Sequence, residues 1–133
     1  PGTEIALAPS AVGLLGLSIC YDLRFPELYR KLAAEGAEAL AVPAAFTVPT
    51  GRDHWHVLLR ARAIESLAYV LAPAQWGDHG RGRSTYGHAM IVDPWGTVLA
   101  ECADGEGFAM AELEVGRVRA VRAQIPCLTH RRL

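Results

Sequence analysis

Hydrophobic positions along this chain come in short blocks, separated by polar segments that carry glycine and proline. The run "LLGLSI" (14–19) reads as a buried strand. "PELYRKLAAEG" (26–36) follows as a helix: Pro26 suits the first helical position, Leu28 and Leu32 share a face, and Gly36 suits the end. A second apolar run over 37–45 predicts another buried strand. Helical periodicity covers 53–68, with Asp53 placed to cap it, and 69–75 predicts a third strand. "WGDHGRGRSTYG" (76–87) has four glycines and predicts a loop. The stretch 88–102 predicts a hairpin turning at Asp93-Pro94-Trp95-Gly96, 107–114 a further strand and 116–124 a further helix. Strand, helix, strand, helix, strand, then a hairpin predicts an α/β layer structure with a mixed sheet.

Composition narrows the function classes. A length of 133 residues suits one domain with a real core, and 51% apolar against 20% charged residues describes a globular chain. A formal net charge of −1 gives no reason to expect nucleic acid or an anionic membrane as partner. No apolar run approaches the ~20 residues of a membrane-spanning helix, and "PGTEIALAP" is no signal peptide. Cys20, Cys102 and Cys127 are odd in number and widely spaced, which predicts free thiols in a reducing cytoplasm rather than a disulfide framework. The chain opens on Pro1 and not methionine, so an upstream segment is expected to have been removed. Its basic residues are twelve arginines and one lysine, Lys31.

The first strand ends on a cysteine. A nucleophile between a strand and a helix exposes its sulfur while the strand fixes its backbone, and backbone N–H groups of such a turn can face a developing oxyanion. Cys20 meets that requirement. The plain alternative is a small cysteine filling core space. Asp22, Arg24 and Glu27, close behind it, favour chemistry, because a simple strand–helix turn needs only glycine or a cap.

"GLSICYDLRFPEL" (16–28) resembles the nucleophile segment of the carbon–nitrogen hydrolase (nitrilase) superfamily, in its Nit-type amidase branch. The resemblance continues through 42–65 and 84–101 and closes on "QIPCLTHRR" (124–132). It implies that residues 1–133 are the C-terminal portion of one carbon–nitrogen hydrolase domain, part of an α-β-β-α sandwich that pairs into a homodimer or larger homo-oligomer. It also implies a reaction in which the Cys20 thiolate attacks a small amide, ammonia leaves, and water hydrolyses the thioester. Tyr21 would supply the oxyanion N–H through its backbone. Arg24 would face substrate or simply pair with Glu27, and Phe46 and Thr47 would line the pocket or merely pack. Asp22, Glu27, Arg62 and Glu65 would give structural support, the last two as an intrahelical pair one turn apart.

The family's general-base glutamate and its lysine precede the cysteine, and neither has a counterpart among the nineteen residues before Cys20. Lys31 lies beyond the elbow on a polar helix position, and Glu4 stands in no matching context. The chain alone is therefore expected to be nearly inactive, with a non-catalytic structural or binding subunit as the alternative reading. Half a sandwich should also leave apolar sheet surface uncovered. No cofactor is expected, and no metal: the cysteines have no near neighbour, and His54 and His56, two apart on a helix, point in different directions. "GDHGRGR" (77–83) lacks the lysine and hydroxyl of a phosphate loop and is expected to be a surface loop.

Overall fold

The computed structural model describes every residue except Pro1, Val115 and Leu133. Six strands form one mixed sheet in the order β1 (Ala6–Ser10), β2 (Gly13–Leu17), β3 (Ala39–Ala41), β4 (Tyr69–Ala72), β7 (Met90–Val92) and β8 (Val98–Glu101). The central β2, β3 and β4 are parallel and the flanking pairs antiparallel. Between β2 and β3 runs α1 (Pro26–Ala34); between β3 and β4 run α2 (Val48–Thr50), a π-helical segment (Gly51–Trp55) and α3 (His56–Ser66). α4 (Arg117–Gln124) and α5 (Cys127–His130) close the chain. No helix among the described residues is long and apolar enough to cross a membrane.

The expected α/β architecture holds, and its apolar blocks explain the packing. α1 and α3 cover one face of the sheet, burying Leu23, Tyr29, Leu32, Leu40, Trp55, Leu59 and Val70 almost completely. Gly16 allows α1 to approach: a Cβ there would sit 3.1 Å from both Leu32 and Leu40. The other face has a smaller cover, in which Val118 of α4 packs with Ala39, Tyr69, Leu15 and Leu113. Next to that patch, the cross-strand row Leu17, Ala41, Leu71, Ile91 is only partly covered, and Leu17 is 41% exposed. Apolar sheet surface is uncovered, as expected of one sheet from a two-sheet sandwich.

Four local expectations need correction. The first strand, β1, went unpredicted because Pro9 interrupts it; an edge strand tolerates that proline. Asp53 does not cap a helix. Pro49 starts the helical path earlier, and Asp53 lies exposed within the π segment. That segment needs Gly51, where a Cβ would collide with the Tyr86 side chain. The expected loop 76–87 contains a short hairpin, β5 (Trp76–Asp78) with β6 (Ser84–Tyr86), whose three-residue strands are too short to show periodicity. The expected strand 107–114 does not form: the segment is irregular and pairs with no strand among the described residues. Alternation specifies a face, not a partner, and Phe108 and Met110 are left 82% and 78% exposed. The Asp93–Gly96 turn forms as expected, with Asp93 Oδ1 accepting from Trp95 N and Thr97 N at 2.9 and 2.8 Å.

Candidate active site

Cys20 sits just past β2, at the start of a 3₁₀ turn spanning Cys20–Arg24, with φ of +48°. This left-handed conformation costs a non-glycine residue roughly 1–2 kcal/mol, so its surroundings must enforce it. On one side Cys20 N–H donates to Pro43 O at 2.8 Å. Ile19 N–H donates to the Asp22 carboxylate at 2.8 Å, while Asp22 N–H returns a bond to Ile19 O at 3.0 Å. Asp22 thus ties the elbow as a short-range brace. Tyr21 N–H opens the 3₁₀ turn, where helix geometry supplies no intrahelical acceptor.

Beneath the elbow lies a buried polar layer. The Ser18 hydroxyl donates to Ala41 O at 2.8 Å and so accepts from Tyr29 Oη at 2.7 Å. Arg62 of α3, 5% exposed, donates to Leu23 O through Nε at 3.1 Å and Nη2 at 2.7 Å, and pairs through Nη1 with Glu65 at 2.8 Å. Its guanidinium also stacks 5.3 Å from the centre of the Tyr29 ring. Arg62 and Glu65 are therefore more than a helix-surface pair: the arginine holds a backbone carbonyl of the elbow itself.

Burial, the dominant cause, raises the Tyr29 hydroxyl from its ordinary value near 10 to about 12. A raised folded-state value means that the neutral hydroxyl stabilises the fold fully below about pH 10 and that this stability is lost as pH rises toward about 12. Denaturant midpoints across that window should fall by the equivalent of ~2–3 kcal/mol. They should fall distinctly less in Tyr29→Phe; an equal fall in both proteins would dissociate Tyr29 from the effect.

A cavity of about 430 Å³ opens beside the cysteine. Its walls are Ile19 and Cys20 beyond β2, Pro43–Ala45 beyond β3, and Pro73–Gln75 beyond β4. This is the crevice outside the carboxyl ends of parallel strands, where α/β sheets place ligands. Neither a carboxylate nor an amine is among these lining residues.

The other expected site residues lie around this cavity rather than in its wall. Phe46 turns into the core and packs 5.0 Å from Trp55, because its apolar ring is better buried than lining a wet crevice. Thr47 is exposed at the start of α2, with its hydroxyl 2.9 Å from that of Thr50. Arg24 lies over the Tyr21 and Phe46 rings, 5.7 and 5.2 Å from their centres, and reaches His54 Nδ1 at 3.3 Å. Its expected pairing with Glu27 does not form. Glu27 is exposed in the first turn of α1, where the helix dipole favours an acid, and makes no ion pair among the described residues. Lys31 is exposed on α1 and Glu4 is exposed before β1.

One cluster escaped the sequence reading. His56, His88 and Glu101 converge from three elements, with ligand-type atoms all within 4.8 Å of one another. Ring stacking of Tyr86 on His88, at 4.1 Å, was equally invisible. Pairwise spacing within one helix could not have revealed contacts 32 and 45 residues apart in sequence.

Comparison with known proteins identifies the family. The carbon-nitrogen hydrolase family profile matches residues 1–123. A deaminated glutathione amidase of Synechocystis is 60% identical over 119 residues, which are 90% of this chain and 44% of that protein. The C. elegans NitFhit protein superposes with a TM-score of 0.95 at 48% identity, over 98% of this chain and 32% of the other. Saccharomyces cerevisiae Nit3, a member of branch 10 of the nitrilase superfamily, gives 0.91 at 37% identity, over all of this chain and 49% of its own. The chain thus spans less than half the length of these relatives. A family profile over residues 1–123 and relatives matched along nearly the whole chain mean that this polypeptide belongs to the carbon–nitrogen hydrolase family, in its Nit-type branch.

Proposed function

We propose that this chain is the C-terminal, nucleophile-bearing portion of an amidase that acts on a small carboxylate-bearing amide. The observation that carries the reading is Cys20, held in a left-handed elbow at the edge of a cavity that three parallel strands open. The Cys20 thiolate attacks the amide carbon, and Tyr21 N–H donates to the oxyanion that forms. Collapse expels the nitrogen, which takes up protons and leaves as ammonia. Water then adds to the Cys20 thioester, releasing a carboxylic acid and restoring the thiol. Asp22, Arg62 and Glu65 keep the elbow in position. Arg24, stacked on the Tyr21 and Phe46 rings outside the cavity wall, is a positioning residue and not a direct substrate contact.

The general base and the lysine come from outside these 133 residues. The cavity wall offers neither, and Lys31 and Glu4 lie on exposed surface. The partly covered row around Leu17 is where an upstream sheet would pack, and the shortfall in length against the relatives supports that portion's existence. The amide class rests on the deaminated glutathione amidases among those relatives. Three free cysteines suit a reducing compartment, and the assembled domain is expected to pair with a second copy.

The bare cavity wall favours one rival, a truncated homologue that binds or scaffolds without catalysing. Competitive alkylation at neutral pH separates the two, after intact mass has shown whether the 14.3 kDa chain stands alone. In a polypeptide that includes the upstream portion, Cys20 should react at least about tenfold faster than Cys102 or Cys127, as an activated thiolate does. Equal slow rates at all three would sink the enzyme reading.

A further inference from the structure

We propose that His56, His88 and Glu101 bind a divalent first-row cation, zinc by preference, which clamps α3 to the β7–β8 hairpin. His56 opens α3, His88 precedes β7 and Glu101 ends β8. His56 Nε2 and His88 Nδ1 lie 2.7 and 2.8 Å from the same oxygen, Glu101 Oε1. Two imidazoles and a carboxylate form a recurrent zinc ligand set, with bonds of ~2.0–2.2 Å and ligand atoms ~3.3 Å apart in a tetrahedron. Each nitrogen-to-oxygen separation needs to widen by only about half an ångström, and all three ligand atoms already lie within 4.8 Å of one another, so side-chain rotation suffices to admit the ion. His56 and Glu101 are 34% and 30% exposed at their side chains, so water can reach a fourth position.

The surroundings are those of a ligand rather than of a casual surface contact. His88 Nε2 lies 3.1 Å from Asp104 Oδ1. A neutral imidazole can donate to only one of these two carboxylates; with Nε2–H donated to Asp104, as a carboxylate usually backs a metal-bound histidine, Nδ1 is left to ligate a cation held between it and Glu101. The ring is stacked on Tyr86, and the His88 carbonyl accepts from Trp55 Nε1 at 2.8 Å. His88 itself has a φ of +58°, a left-handed conformation this packing maintains. Glu101 and Asp104 bring two negative charges to the cluster, against Arg52 across the adjoining cavity.

The test uses the full polypeptide that carries this chain with Cys20→Ala, so that the nucleophilic thiol cannot compete for metal. Calorimetric titration with Zn²⁺ should show one equivalent bound, weakened about 100-fold by His88→Ala and about tenfold by Asp104→Asn, while His54→Ala leaves it unchanged. Co²⁺ should give visible bands of tetrahedral strength without sulfur-to-cobalt charge transfer. Should His88→Ala fail to fold, the near-isosteric Glu101→Gln carries the test, and Zn²⁺ should raise the melting temperature of the parent but not of this variant. Absence of binding, equal affinity in the His88 or Glu101 variant, or a thiolate band would each overturn the site.

Discussion

Replacing Cys20 by alanine should lower amide turnover about 10⁶-fold in a polypeptide that carries this chain together with its base and lysine. The size of the loss follows from the chemistry: without the sulfur there is no thioester, and water must attack an unactivated amide directly. The alanine variant should keep its fold, since Cys20 is only partly buried and its main contribution to the elbow, the N–H donated to Pro43, is unchanged. Ammonia release, read beside circular dichroism, makes the comparison. Residual turnover above about one hundredth of the parent, with an intact fold, would mean that the reaction does not pass through this thiol.

Replacing Arg62 by methionine should destabilise the fold by about 3 kcal/mol and lower the melting temperature by about 10 °C. Methionine retains much of the packing length, so the loss isolates the polar contribution. Leu23 O would lose both guanidinium donors in a buried setting, at a cost of roughly 1–3 kcal/mol. Glu65 would lose its partner, a smaller effect because its side chain is 25% exposed and can regain water. Lysine should rescue poorly, since a single ammonium cannot reproduce the planar fork. The same substitution should slow Cys20 alkylation, because the 3₁₀ turn hangs on that carbonyl. A methionine variant within about 0.5 kcal/mol of the parent would show that the elbow is held by its short-range bonds alone.

What the sequence disclosed and what it hid divide along physical lines. Pro26 and Gly36 bracket α1, Asp93-Pro94-Trp95-Gly96 turns the hairpin, and the run before Cys20 is a strand, because each depends on residues within one or two turns of chain. The backbone twist at Cys20 had no local signal: cysteine carries no preference for positive φ, and the cause is a carbonyl at Pro43. The partner of Arg62 was hidden for a similar reason. Spacing identified Glu65 one turn away, but Leu23 O lies 39 residues off in sequence and is reached only once α3 packs on the sheet. Arg24, Phe46 and Thr47 were expected to face substrate or line the pocket, or else to pair and pack; none is in the cavity wall, and where their side chains turn depends on packing that no residue count could foretell. His56, His88 and Glu101 show the same limit.

The left-handed elbow also bears on why this residue stands at this position. Glycine at 20 would adopt the same backbone without steric penalty, and nothing in the bonds from Pro43, Asp22 and Arg62 requires a side chain there. Stability alone would not choose cysteine. The twist and the thiol are therefore separable: the backbone bonds hold the elbow whichever residue stands there, and the elbow brings that residue to the edge of the cavity.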